Sequence, residues 1–294
     1  MLDFKQSCIL LNKPSGISSN DALKKVKKKL NQKKAGFSGT LDPLASGLLI
    51  IFFNKATKLC SAFINADKSY YALIKLGEIS STGDLDGEIS TTNHPIEIQN
   101  IDLRKIEKKF IGNISQVPPM YSALKHKGKR LYDYAREGIE IERPAREIYI
   151  HNIDLNVFDS EHLSLKVKCS KGTYIRTLAE QIGEELGCGA LVAKLERTHI
   201  EDIDLSNSVK LEDLLLSSSE EICSKYLINV DLLVNNIPSC YLSSNNIEKV
   251  LNGNKVKINE NTCEKIKIYD SNNVFIGMGE VNNNSELLPK KILV

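Results

Sequence analysis

The sequence predicts a mixed α+β protein in two parts: a large domain over about residues 1–235 and a small β-rich domain over 236–294. Three observations carry this. Along the first part, apolar residues recur both at helical spacing and in strict alternation. After about residue 236 the character changes to short strands and turns. The chain has 294 residues, 41% hydrophobic and 26% charged, which is enough to bury a sizeable core.

The elements follow in order. Residues 7–14 read as a strand ending at Lys13-Pro14. Ser18 or Ser19 caps a helix whose Leu23, Val26 and Leu30 share one face. Residues 36–47 form a loop with three glycines, and Leu48 to Phe53 read as a buried strand. A short helix at about 56–66, an alternating strand from Tyr70 to Leu76 and a turn-rich acidic loop from Ser81 to Asp86 come next. Residues 102–110 are helical by pattern. Residues 118–146 are rich in Lys, Arg and Tyr and read as an excursion from the main sheet. Strands at 147–155 and 162–169, a helix from Ile175 to Leu186 and another over 209–223 complete the large domain. In the small one, Asn252-Gly253 between apolar pairs is a hairpin signal, and Phe275–Val281 reads as a strand. The Asn/Ser-rich pieces near 244–254 and 282–285 read as loops.

Composition narrows the function. No apolar run reaches membrane-spanning length, and the first residues lack the basic-then-apolar order of a secretory signal. Seven cysteines without a C-x-x-C pair speak against a disulfide framework or a zinc site, so a reducing compartment, the cytoplasm, is expected. No metal or other cofactor is expected. Thr82-x-Asp84-x-Asp86-Gly87 lacks the glutamate a calcium loop needs at its twelfth position, which is Asn93. The net charge of +2 hides an asymmetry, because residues 1–60 carry eleven Lys and three Asp with no Arg or Glu. Seven of those lysines fall within positions 24–34, which points one face at a polyanion.

The chemistry centres on Asp42, held between Leu41 and Pro43 in the glycine-rich loop. By itself Leu-Asp-Pro is also an ordinary turn. The longer string Gly36-x-Ser38-Gly39-Thr40-Leu41-Asp42-Pro43-Leu44-Ala45-Ser46-Gly47 resembles the catalytic loop of TruB-type tRNA pseudouridine synthases of the bacterial kind. Further stretches match in the same order: Leu11–Gly16, Asp67-Lys68-Ser69-Tyr70, Ser81–Gly87, Pro118–Lys125, Cys169–Thr177 and Leu195-Glu196-Arg197-Thr198. The resemblance is strong over residues 9–200.

That resemblance implies a mainly antiparallel central sheet, an RNA-gripping insertion at about 118–146 and a PUA-like RNA-binding domain at the C-terminus. It implies that uridine 55 in the T-loop of tRNA is isomerised to pseudouridine, with Asp42 as the catalytic carboxylate. Arg176 resembles the arginine partner of that aspartate. Tyr70 is the candidate stacking face for a flipped base, Tyr174 and Leu195 wall the pocket, and Lys13 structures the site or holds a phosphate. Phe37 stands where the bacterial enzymes usually have a histidine, and as a flat wedge it fills the space the flipped base leaves. The partner implied is the T-arm of tRNA, with no membrane and no protein partner. Two rivals remain open at this point: an RNA-binding protein on the same scaffold, and a glycoside hydrolase using Asp84 or Asp86 as a second carboxylate.

Overall fold

Apolar alternation and apolar runs sort into one long sheet. In the computed structural model, which describes residues 4–92 and 101–294, the sheet is built mostly from eight strands. They are β1 (Ser7–Lys13), β2 (Ala35–Phe37), β3 (Ser46–Phe53), β4 (Lys68–Leu76), β5 (Gly112–Gln116), β6 (Arg146–Val157), β7 (His162–Cys169) and β8 (Ala190–Ile200). The central order is β1-β3-β8-β4-β7-β6-β5. Each neighbouring pair in that run is antiparallel except β3 with β8. The sheet is therefore mainly antiparallel, as the resemblance implied. Asn93 lies outside the described residues.

The two halves of the sheet bury themselves differently. On β3, Leu48, Ile50 and Phe52 pack on one face with Leu10, Leu59 and Phe63. Leu49, Ile51 and Phe53 pack on the other with Ala22, Leu23 and Val26 of α1 (Ser19–Lys29). A strand covered on both faces has to be apolar throughout, which is why this one reads as an unbroken run. On β7 Leu163, Leu165, Val167 and Cys169 turn inward, into the cluster that holds Leu178, Ala179 and Ile182 of the helix Ile175–Glu185. Lys166 and Lys168 stand exposed between them. One covered face produces alternation.

Several expectations are corrected. The loop expected over 36–47 is shorter, because Gly36 and Phe37 belong to β2 and pair with Phe52 and Ile51. The helix expected over 209–223 is a two-residue strand, Val209–Lys210, followed by helices Leu211–Leu216 and Ser219–Lys225. The serines between them divide the pattern: Ser218 accepts from the Glu221 amide at 3.1 Å and starts a new helix. Asn252-Gly253 does not turn a hairpin. It ends the helix Ser244–Leu251, with the Gly253 amide donating to the Val250 carbonyl at 3.0 Å and Asn254 to Lys249 at 2.9 Å. Gly253 has φ +80°, and a helix C-terminus needs that conformation as much as a type I′ turn does. The residues around 244–246, expected in a loop, are the first turn of this helix.

The excursion at 118–146 carries a small hairpin, Lys125–His126 with Lys129–Arg130, and the helix Leu131–Arg136, all off the main sheet. The C-terminal residues form a separate five-stranded sheet between Ser239 and Ile292. It has its own core of Cys240, Leu242, Ile266, Ile268 and Leu287. Phe275, Met278 and Leu293 instead join the cluster of Leu10, Leu48 and Phe52, so the small domain shares apolar packing with the large one. Among the described residues no helix is long and apolar enough to cross a membrane.

Candidate active site

The site is built at the one parallel seam of the central run of strands. Gly47, the second residue of β3, has Lys13 opposite it on β1 and Arg197 opposite it on β8. It has φ +106°, and a Cβ there would lie 2.4 Å from the Arg197 carbonyl oxygen. Only glycine permits that approach. The preceding loop is pinned along its length. Ser19 Oγ donates to the Leu41 carbonyl at 3.0 Å and accepts from the Leu41 amide at 2.8 Å. Ser15 Oγ donates to the Leu44 carbonyl at 2.7 Å. Arg197 donates to the carbonyls of Gly39 and Leu48 at 3.1 and 2.8 Å. Leu41 and Ala45 bury into the core beside Leu195. Asp42, between them, is left pointing out, with its side chain 39% exposed.

Arg176 meets it there. Its Nη2 lies 2.9 Å from Asp42 Oδ2, and its Nε lies 3.6 Å from Asp84 Oδ2. Nη1 donates to the Thr82 carbonyl at 2.6 Å and Nη2 to the Tyr121 carbonyl at 2.8 Å. One nearly buried guanidinium at the start of a helix thus ties together the glycine-rich loop, the acidic loop and the insertion. Burial raises the Asp42 carboxyl above the usual 3.8, and Asp84 adds to the rise, while Arg176 and Lys13 pull it back. Arg176 therefore favours the ionised form, as expected, but burial outweighs it.

The remaining expected residues divide. Tyr70 is partly buried against the same core, opposite Arg197 across β4 and β8. Burial pushes its phenol up, Arg197 opposes this, and the nearby Asp42 carboxylate adds to the rise. Tyr174 also feels Asp42, after the larger effect of burial. Its backbone is held by Gln116, which accepts from its amide at 3.1 Å. Leu195 is buried beside Tyr70. Lys13 is fully buried, and its ammonium donates to the carbonyls of Pro14 and Ile17 at 2.8 and 2.7 Å. It structures the loops around Asp42 and leaves no face for a phosphate. Burial lowers it from 10.5 to about 8. Phe37 sits apart from this group, partly buried against the cluster on the α1 side of the sheet.

Asp84 entered from the sequence only as a rival second carboxylate or calcium ligand, and Lys68 and Arg197 only as members of the matching stretches. Asp84 is buried, accepting from Thr82 Oγ1 at 2.5 Å and from the Asp86 amide at 3.1 Å. Lys68 donates to the carbonyls of Phe63, Ile64 and Ala66 at 2.9, 2.7 and 2.6 Å. Arg197 is 1% exposed. All three stand inside the matching stretches, but buried charges are rare enough that type and spacing alone favour exposed positions. In the insertion, Lys129 lies over the Tyr134 ring at 4.6 Å, and Arg130 and Arg136 lie over Tyr132 at 5.6 and 5.5 Å. Among the described residues no group of three His, Cys, Asp or Glu is placed to hold a metal.

Solved structures share this fold. A chain of a Cbf5–Nop10–Gar1 complex aligns with a TM-score of 0.74 at 23% identity, covering 99% of this chain and 86% of that one. A chain of an archaeal box H/ACA Nop10–Cbf5 complex aligns with a TM-score of 0.71 at 21% identity, covering 99% and 87%. The class is set by three family models. TruB family pseudouridylate synthase (N terminal domain) matches residues 27–175, tRNA pseudouridylate synthase B C-terminal domain matches 176–234, and Pseudouridine synthase II TruB, C-terminal matches 238–293. Proteins named tRNA pseudouridine synthase B from Azoarcus sp. (strain BH72) and Methylobacillus flagellatus are each 44% identical, over 97% of this chain and 94% of theirs. The chain belongs to the TruB family of pseudouridylate synthases, enzymes that form pseudouridine in RNA.

Proposed function

We propose that this enzyme isomerises uridine 55 in the T-loop of tRNA, in the cytoplasm, with Asp42 as the catalytic carboxylate. The observation that carries the proposal is the Asp42–Arg176 pair: a partly exposed carboxylate held at 2.9 Å by a buried guanidinium. The relatives' names, tRNA pseudouridine synthase B, supply the substrate class. The base leaves its stack, enters between Tyr70, Tyr174 and Leu195, and detaches from the ribose at N1 before rejoining through C5. No oxidation state changes, so the chemistry asks for no cofactor. An ionised Asp42 serves as nucleophile or as base. Phe37 acts as the wedge in the vacated stack. Residues 1–235 carry the chemistry. The insertion, the lysines of α1 and the PUA-like domain from 236 onward grip the RNA backbone.

The test is tritium release from T-arm RNA labelled at uracil C5. Asp42→Ala is expected to bind RNA but to release tritium at least ~10³-fold more slowly than wild type. Undiminished release would remove Asp42 from the reaction. Carbodiimide mapping of the product checks the position, and a modified uridine outside the T-loop would overturn that part.

A further inference from the structure

We propose that the cavity between α1 and the helix Leu211–Leu216 is a subsite for a second, unpaired nucleotide of the RNA loop whose uridine reaches Asp42. The inference rests on the reading of Asp42 given above. The cavity holds about 390 Å³, within the range of about 300–1,000 Å³ common to small-ligand sites. Pro14, Ile17 and Leu215 give it an apolar lining, and Lys25 and Lys210 give it two cations. Glu212 is the single acid that lines it. Both lysines are exposed, and among the described residues neither ammonium forms a salt bridge or hydrogen bond.

The cavity has fixed walls, and one of them is shared with the Asp42 loop. Lys29 of α1 donates to the Leu215 carbonyl at 2.7 Å, which ties the last turn of the helix Leu211–Leu216 to α1. Ile17 and Leu215 pack against the buried cluster on the α1 side of the sheet. Lys210 is placed by the parallel pairing of Val209–Lys210 with β1, where it stands opposite Asn12. The turn from Pro14 to Ile17 closes the other side. Lys13 holds its two end carbonyls at 2.8 and 2.7 Å. The Gly16 amide of the same turn donates to the Pro43 carbonyl at 2.8 Å, and Ser15 Oγ donates to the Leu44 carbonyl at 2.7 Å. This turn therefore lines the cavity with Pro14 and Ile17 and braces the two residues that follow Asp42 with Gly16 and Ser15. An RNA loop that brings a uridine to Asp42 has the cavity one turn away.

The lining fits the two halves of a nucleotide. Two solvated ammonium groups can exchange their water for a phosphate, and apolar side chains can cover the face of a base. A paired nucleotide keeps its base stacked and offers such a cavity only its backbone, whereas an unpaired one can insert its ring. The cavity also continues the basic face of α1, where Lys24 and Lys28 are exposed, so a polyanion is drawn along this side of the molecule. Its one carboxylate, Glu212, is outnumbered by the two lysines. The subsite thereby favours a loop with an unpaired neighbour over a helical stem.

The experiment measures Kd for wild type, Leu215→Ala, Lys210→Ala and Lys28→Ala on a series of T-arm RNAs, each lacking one base of the loop other than the target uracil. One abasic position is expected to weaken wild type about 5–100-fold. Leu215→Ala should weaken the intact RNA about 3–10-fold and cost less than about twofold on the RNA abasic at that position, because both changes remove the same contact. If Leu215→Ala does not fold, Ile17→Ala enters the same comparison. Lys210→Ala should lower the slope of log Kd against log salt by roughly one. Lys28→Ala, outside the cavity, should weaken every RNA of the series alike. A Leu215→Ala loss that is equal across the series would mean that no base enters, so the cavity serves another occupant or none and the proposal fails. An unchanged salt slope for Lys210→Ala would overturn the phosphate contact. Affinity is read without turnover, so a wild type that bound these RNAs but released no tritium would overturn the reading of Asp42 and leave the test of the cavity in force.

Discussion

Lys13, Lys68 and Arg197 have at most 6% of their surface exposed, whereas Lys24, Lys25 and Lys28 stand in solvent on α1. The buried set turns its donors on backbone carbonyls: Pro14 and Ile17 from Lys13, Phe63, Ile64 and Ala66 from Lys68, Gly39 and Leu48 from Arg197. The exposed set makes weak local contacts, such as Lys24 with Asp21 at 3.4 Å. One set of cations fixes the shape of the backbone around it, and the other is open to solvent and free to meet a polyanion. A cation's role here follows from its burial, since a desolvated ammonium must be fully hydrogen-bonded while a solvated one can exchange its water for phosphate.

Arg176 belongs with the buried set but holds a carboxylate, so its loss should have the largest effect. Arg176→Met is expected to lower kcat about 10²-fold or more, because Asp42 and Asp84 are left facing each other without their cation. The sign of the pH effect is fixed. Burial already raises Asp42 above 3.8 and Arg176 opposes the rise, so the acid limb of activity should move to higher pH in the variant. A pH–rate profile in which that limb stays in place would sever Arg176 from the ionisation of Asp42.

Lys68 tests the structural half. Lys68→Met leaves three carbonyls without their donor, and unfolding should show a loss of roughly 2–4 kcal/mol. The lysine titrates near 10.5 in the unfolded chain and is lowered to about 8 in the fold, chiefly by burial. Between those values the unfolded chain keeps a proton that the fold has released, so this group's contribution to stability rises with pH across the window. The stability of wild type relative to Lys68→Met should accordingly improve from about pH 8 to about pH 10 in denaturant titrations. A constant difference would count against the shift.

The exposed half should behave in the opposite way. Replacing Lys25, Lys27 and Lys28 with Ala is expected to leave stability within about 0.5 kcal/mol. RNA affinity should fall, and the slope of log Kd against log salt should drop by roughly one for each phosphate no longer neutralised. An unchanged slope would show that α1 does not touch the RNA backbone. The smallest effect is expected at Phe37, which packs toward α1 and not with Asp42. Phe37→Ala should slow turnover a few-fold and Phe37→His should restore it, by about 1–3 kcal/mol of stacking at most. If neither variant differs from wild type in rate or RNA affinity, the wedge role is wrong.

Much of the fold was legible because its signals are local. The alternation in β7, the unbroken apolar run in β3 and the cap at Ser18, which accepts from the Asp21 amide at 3.0 Å, each depend on residues a few positions apart. Asn252-Gly253 misled for the same reason. A left-handed glycine serves a hairpin and a helix end alike, and what distinguishes them is whether Ile247 and Val250 find a core to face. The Asp42 loop and its partner Arg176 were legible through a long matching string, and spacing alone would not have joined them. Arg197 was not, because within an alternating strand an arginine reads as a surface residue.

By itself the sequence determined the α+β class with a β-rich C-terminal part and the basic face of α1, since these follow from period and composition. Tertiary structure alone decided which charges are buried. That outcome depends on β3 meeting β8 in parallel at Gly47, a contact between segments far apart in the chain. Whether a lysine or arginine loses its water is set by what packs across such a seam, and no neighbour in sequence carries that information.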